Sequence, residues 1–326
     1  MIYFSMINLS LNKNLDILMP NTNRALAVVL QAATPKELAA VSQEKDLKSI
    51  LNSLLKGSAQ NPASDKTLLT LVKNNPTLKD LGNVSATIRD LLTTLKADKN
   101  PLPLTDTLKN FLIDIKELTE PLLKQKIENS GVFLESKLKK EIVSQAGKLE
   151  TSLNIKELLS GDLKSVLLKA GDEIAKSSHP NQTELLKNID KLSLCIDYYQ
   201  LLSHLSNSSC VYLPFSWEQL EEGNINLKKD KEDKFYCDID LKLKEYGELK
   251  LRLVLYEKNQ INIHIHSDSN DLKEIIKENI SLLRSALIES HITPREIRIF
   301  DAAKKNIPSP YENSSQMIDV GFEVKA

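Results

Sequence analysis

His264 and His266 stand two residues apart in the run Ile261-Asn262-Ile263-His264-Ile265-His266, so an extended chain carries both imidazoles, with Asn262, on one face. Two ring nitrogens so placed suit part of a metal site. Such sites draw on further N, S or O donors, however, and no carboxylate or Cys lies in the same stretch. The pair therefore reads as a solvated or partner-facing strand. Asp238 and Asp240 are spaced like paired carboxylates, but they alternate in register with Lys242 and Lys244, as expected of a charge-paired solvent face. Cys195, Cys210 and Cys237 are odd in number and form no C-x-x-C, which reads as reduced thiols in a non-oxidising compartment. Neither G-x-x-x-x-G-K-[ST] nor G-x-G-x-x-G occurs, and G-x-S-x-G and H-E-x-x-H are also missing. These residues predict no enzyme, no cofactor and no metal.

The elements that hold these residues change character along the chain. Of 326 residues, 43 are Lys or Arg and 44 are Asp or Glu, giving a net charge of −1 and no basic excess for nucleic acid. No stretch approaches the roughly 18–20 consecutive apolar residues of a membrane span. The amino terminus lacks the basic region of a cleavable signal peptide. Aromatic residues make up only 5%, and before residue 190 they are limited to Tyr3, Phe4, Phe111 and Phe133. From Arg24 to Ser206 the apolar residues recur every three or four positions, as in Lys36–Lys56, Val84–Leu95 and Leu104–Leu123, with prolines marking breaks. Near Ser206 the period falls to two. Phe235, Cys237, Ile239, Leu241 and Leu243 make one strand, Leu249 to Leu255 a second after a turn at Gly247, and Ile261, Ile263 and Ile265 a third. A helix follows from about Asp271, with Glu274 completing a capping box and Leu272, Ile276, Ile280, Leu283 and Leu287 as its stripe. Pro294 ends it, and Ile297 and Ile299 begin another strand. The fold class predicted is α+β: a largely α-helical, loosely packed amino-terminal region, then a small compact β-β-β-α-β carboxy-terminal domain.

This strand–turn–strand–strand–helix segment resembles the carboxy-terminal domain of the flagellar hook-length control protein family, exported by a type III apparatus. The resemblance rests on the turn Lys244-Glu245-Tyr246-Gly247-Glu248-Leu249 and on Leu283-Arg284-Ser285-Ala286-Leu287 in the helix. It is supported by the lead-in Leu213-Pro214-Phe215-Ser216-Trp217, followed by Gly223-Asn224-Ile225. A central segment, Asn129-Ser130-Gly131-Val132-Phe133-Leu134-Glu135-Ser136-Lys137-Leu138, is similar to one in some members. The family's turn proline is Lys244 here, and its helix-ending glycine is His291, a residue type that tolerates the left-handed conformation better than most.

The resemblance implies a helical export-signal segment over residues 1–60, a helical ruler-like region over 61–206 and a specificity-switch domain over 207–326. It implies a monomer, cytoplasmic before export and then secreted through the flagellar channel. Its partners would be the cytoplasmic domain of the export-gate switch protein and the hook and hook-cap subunits. It implies partner-binding candidates Leu213, Pro214, Phe215, Trp217, Glu245, Gly247, Leu283, Arg284 and Leu287. The alternative is a non-flagellar helical adaptor with a small α+β partner-binding domain.

Overall fold

The computed structural model describes residues 23–41, 62–96, 104–144, 151–213, 216–230 and 233–301. The predicted helix over Lys36–Lys56 falls only partly among these, as α2 below. Pro214 and Phe215 lie outside them.

The helical half comprises α1 (Arg24–Ala32), α2 (Pro35–Val41), α3 (Pro62–Asn74), α4 (Pro76–Lys79), α5 (Val84–Lys96) and α6 (Leu104–Lys109). A 3-10 turn (Ile115–Glu117) is followed by α7 (Glu120–Glu128), α8 (Leu134–Ser144), α9 (Thr151–Gly161), α10 (Leu163–Ala175) and α11 (Gln182–Ser206). Prolines open α2, α3 and α4, where the missing N–H costs nothing. Leu104–Leu123, read from its period as one helix, is broken. Asp114 caps the 3-10 turn by accepting the Lys116 N–H at 2.9 Å, and Pro121 sits in the first turn of α7.

Packing also differs from the looseness expected of aromatic-poor helices. Leu26, Leu30, Leu68, Ile88, Leu91, Leu95, Leu108, Phe133, Leu163, Leu167 and Ile174 are all less than 2% exposed. They form one core around the 25-residue α11. Leucine at three- and four-residue spacing fills the space between helices without rings, because close packing depends on fit more than on side-chain size.

The α+β class holds, and the carboxy-terminal part has more strands than the period showed. Its six-stranded sheet runs in sequence order: β1 (Ser209–Tyr212), β2 (Leu220–Lys229), β3 (Phe235–Leu243), β4 (Gly247–Tyr256), β5 (Gln260–Ser267) and β6 (Thr293–Phe300). Successive strands are antiparallel through β5. Helix α12 (Asn270–Glu289) then crosses over, so that β6 lies parallel to β5. Alternation fixes the register, pairing Cys237 with Leu253 and Leu253 with Ile263, apolar on apolar. The start of α12 corrects the expected capping box. Ser269 is the cap, its hydroxyl accepting the Leu272 N–H at 3.2 Å. At the other end His291 adopts φ 59°. The Ile292 N–H donates to Leu287 O at 2.8 Å and the His291 N–H to Ile288 O at 2.9 Å, which is a Schellman closure.

The two halves interlock. Cys210, Val211 and Tyr212 of β1 belong to the helical core. Ile113, from the helical half, is buried in the sheet's own apolar cluster, and Ile115, Leu118, Leu122 and Leu123 pack against it. Ser216 and Ile113–Ile115 exchange backbone bonds of 2.7 and 3.0 Å, and Asn83 Nδ2 donates to Glu221 O at 2.6 Å.

Candidate partner-binding surface

The seven candidate residues that are described fall into two groups at opposite ends of the sheet. Leu213 follows β1; its N–H donates to Gly223 O at 3.0 Å, and its side chain is 5% exposed inside the sheet's cluster. Trp217 is half-buried against the same cluster, and its carbonyl accepts the Leu220 N–H at 3.0 Å. Gln219 O accepts the Lys244 N–H at 2.9 Å, which ties this stretch to the β3–β4 turn. In that turn Glu245 is exposed and Gly247 adopts φ 71° with open space where a Cβ would stand. Its glycine is required by the backbone conformation alone, as in three-residue hairpin loops that end in a left-handed residue.

Leu283, Arg284 and Leu287 stand at the far end. They lie in the second half of α12, which runs back along the sheet to the start of β6, and Arg284 Nη1 approaches Pro294 O at 3.5 Å. Leu283 and Leu287 are half-buried against the sheet, so only one edge of each is open to a partner. The β3–β4 turn lies at the start of β4, where Leu249 pairs with Ser267 just before α12 begins. The groups are therefore separated by about 26 Å, the length of an eight-residue strand. A partner would touch one group or span the sheet.

The other face of the sheet is polar and internally paired. Arg252 forks onto Asp238 with two bonds of 3.0 Å, Lys242 reaches Glu221 at 2.9 Å, and Lys250 stands opposite Asp240. The charge pairing is thus across strands rather than along β3. Burial pushes the Asp240 carboxyl up and the His264 and His266 imidazoles down. Phe300 stacks on His266 with centroids 5.0 Å apart and meets His264 edge-on at 5.4 Å. Among the described residues no group of three or more His, Cys, Asp or Glu could hold a metal. Nor is any helix there long and apolar enough to cross a membrane. Cys195 and Cys210 are buried and Cys237 half-buried, each thiol pushed up to about 12 chiefly by burial.

Residues 223–306 match the family model described as Flagellar hook-length control protein FliK. Over these residues the carboxy-terminal part is similar to the flagellar hook-length control family. The match covers about a quarter of the 326 residues, from within β2 through α12 and β6. No curated protein and no solved structure matches the chain. Glu245, Gly247, Leu283, Arg284 and Leu287 lie inside the matched residues, whereas Leu213 and Trp217 precede them.

Sequence reasoning missed a buried ionic cluster in the helical half. The Lys164 ammonium donates to Glu135 Oε1 at 2.7 Å and Gln200 Oε1 at 2.8 Å, and lies 3.3 Å from Asp197 Oδ1. Lys137 bonds Asp162, which is wholly buried, at 2.7 Å. Desolvation raises the Asp162 carboxyl although Lys137 pulls the other way. Gly131 makes this packing possible: at φ 91° it lies where a Cβ would come within 2.9 Å of Ile196 Cδ1 and Lys164 Cβ. The signal was present as the segment Asn129–Leu138, which supplies Glu135 and Lys137 to the cluster.

Proposed function

We propose that the chain is an exported hook-length control protein, which ends hook growth and switches the flagellar type III apparatus from hook-type to filament-type substrates. The observation that carries this reading is the match of residues 223–306 to the hook-length control family, lying over most of β2, all of β3 to β6 and α12. The helical half is the measuring part: some 200 residues span about 300 Å as helix and about 650–700 Å extended, so its conformation in transit sets the length read. The hook-length control domain then meets the cytoplasmic domain of the export gate's switch protein. The end of the sheet that carries Trp217, Glu245 and Gly247 is the first contact, because there an indole is held half-open beside an exposed turn.

A strain lacking the chain should make overlong hooks without filaments, with both features restored by the wild-type chain. A Trp217→Ala variant that unfolds at the wild-type denaturant midpoint should restore neither. Hooks of ordinary length bearing filaments in the deletion strain would overturn the reading. Full restoration by Trp217→Ala would remove Trp217 from the contact.

A further inference from the structure

Residues 113–123 belong to the helical half by sequence and to the sheet half by packing. On either side the chain is held by the helices: Phe111 and Leu112 pack against the helical core before the segment, and Val132 and Phe133 are buried in it beyond. Between these anchors Ile113, Ile115, Leu118, Leu122 and Leu123 join the sheet's apolar cluster. Asp114, Lys116, Glu117, Thr119 and Glu120 are exposed. The segment is thus an amphipathic strap laid on the sheet from outside it.

The strap is lightly held. Of its residues Ile113 alone is buried, at 8% exposure, and neither the 3-10 turn nor α7 contains a buried residue. Its backbone meets the sheet half at Ser216, which forms an isolated bridge with Asp114. There the Ile115 N–H donates to Ser216 O at 3.0 Å and the Ser216 N–H to Ile113 O at 2.7 Å. Segments with few buried side chains and few backbone bonds open at a fraction of the global unfolding free energy. Trp217 follows Ser216 directly and packs against the same cluster as the strap. The tether therefore stands beside the indole assigned to the first contact.

We propose that the Ile113–Leu123 strap is an autoinhibitory cover. It occupies the apolar surface beside Trp217, and a partner engages that end of the sheet fully only after the strap has lifted. The identity of the partner rests on the export reading above; the cover itself does not. A partner that binds the lifted form alone has its affinity reduced by the fraction of chains in that form.

The full-length chain carries its own probe, since Trp217 is its single tryptophan. Leu118→Asp with Leu122→Asp places carboxylates on the strap's apolar side. This pair should raise acrylamide quenching of Trp217 at least twofold with unchanged far-ultraviolet circular dichroism. Asp114→Cys with Ser216→Cys should lock the strap when oxidised, because bridge partners stand within the Cα separation that a disulfide spans. The same variant, reduced, is its control. Binding is then measured to the purified cytoplasmic domain of the export-gate switch protein. The Asp pair should bind at least tenfold tighter than wild type, and the locked form at least tenfold weaker than its reduced self. Equal quenching in the wild type and the Asp pair removes the cover. Raised quenching with equal, measurable affinities removes the inhibition and leaves the partner reading standing. If the Asp pair unfolds, the oxidised-to-reduced affinity ratio decides alone, and a ratio near one overturns the proposal. Binding by none of the forms overturns the partner reading, and this inference with it.

Discussion

Lys164 holds three partners at once in a place where an unpaired charge could not persist. Its side chain is 9% exposed, and the ammonium serves Glu135, Gln200 and Asp197, which come from two other helices. Asp197 in turn accepts the Arg24 N–H at 3.0 Å, and its own carbonyl accepts Asn23 Nδ2 at 2.9 Å, so α1 is tied into the same cluster. Breaking a buried pair from one side leaves the other side uncompensated. Lys164→Met is therefore expected to lower stability by about 3–5 kcal/mol, read from the shift in denaturant midpoint at unchanged slope. A loss under 1 kcal/mol would show that water reaches the cluster. None of this was legible residue by residue. Lys and Glu dot every helix of the amino-terminal half, and which of them turns inward depends on the left-handed turn at Gly131, which a period count does not see.

Elements were legible in proportion to how cleanly one face is buried. β3, β4 and β5 emerge from alternation because one side packs and the other carries charge, and their pairing places Phe235, Cys237, Ile239 and Leu241 opposite Leu255, Leu253, Leu251 and Leu249. β1 does not alternate: all four of its residues are buried, between the sheet and the helical core. β2 was hidden by Glu221-Glu222-Gly223 at its start, although Ile225 and Leu227 face the sheet's core. The Asp271–Glu274 capping signature yielded to Ser269, because Ser267 ends β5 and leaves only Asp268 and Ser269 before the helix. The polar face of β5 has a pH consequence. His264 is held down first by burial and then by Arg298 and Arg252 against the pull of Glu296. His266 is held down by burial, then by His264 and Arg252, with Asp238 opposing. Unfolded imidazoles bind protons near pH 6.5, before these folded ones do, so stability is full above that pH and is lost as pH falls through it. Unfolding midpoints at pH 7.5 and 5.5 should differ, and His264→Gln with His266→Gln should narrow the difference. An undiminished difference would move its origin elsewhere, with His204, also lowered by burial, the next candidate.

At the scale of the whole molecule, the change of period near Ser206 marks a change of element type, while the packing runs across it. Ser203 Oγ accepts the Cys210 N–H at 2.7 Å, and the Tyr212 hydroxyl donates to Ser130 O at 2.8 Å, so α11 and β1 share partners on both sides of the junction. The sequence could not show this because neither set of side chains is unusual for its own element; only their proximity is. A piece beginning near residue 207 would lose the cover over β1 and the Ile113–Leu123 contribution to the sheet's cluster. Limited proteolysis should therefore leave a resistant species that retains residues 113–127 with the sheet, identified by intact mass. A long-lived fragment starting at about residue 207 would count against the interlock.

The shared strand also governs what a force would do. Among the described residues a pull from the amino-terminal side meets α1 first, which is fastened to α11 where Asn23 Nδ2 and the Arg24 N–H both donate to Asp197. Once α11 leaves, Cys210 and Tyr212 lose their cover and the first strand of the sheet is bared. The apolar surface that Ile115, Leu118 and Leu122 had occupied opens as that segment follows. The folded chain thus keeps part of the sheet hidden, and it is uncovered only once the helices that cover it are drawn away.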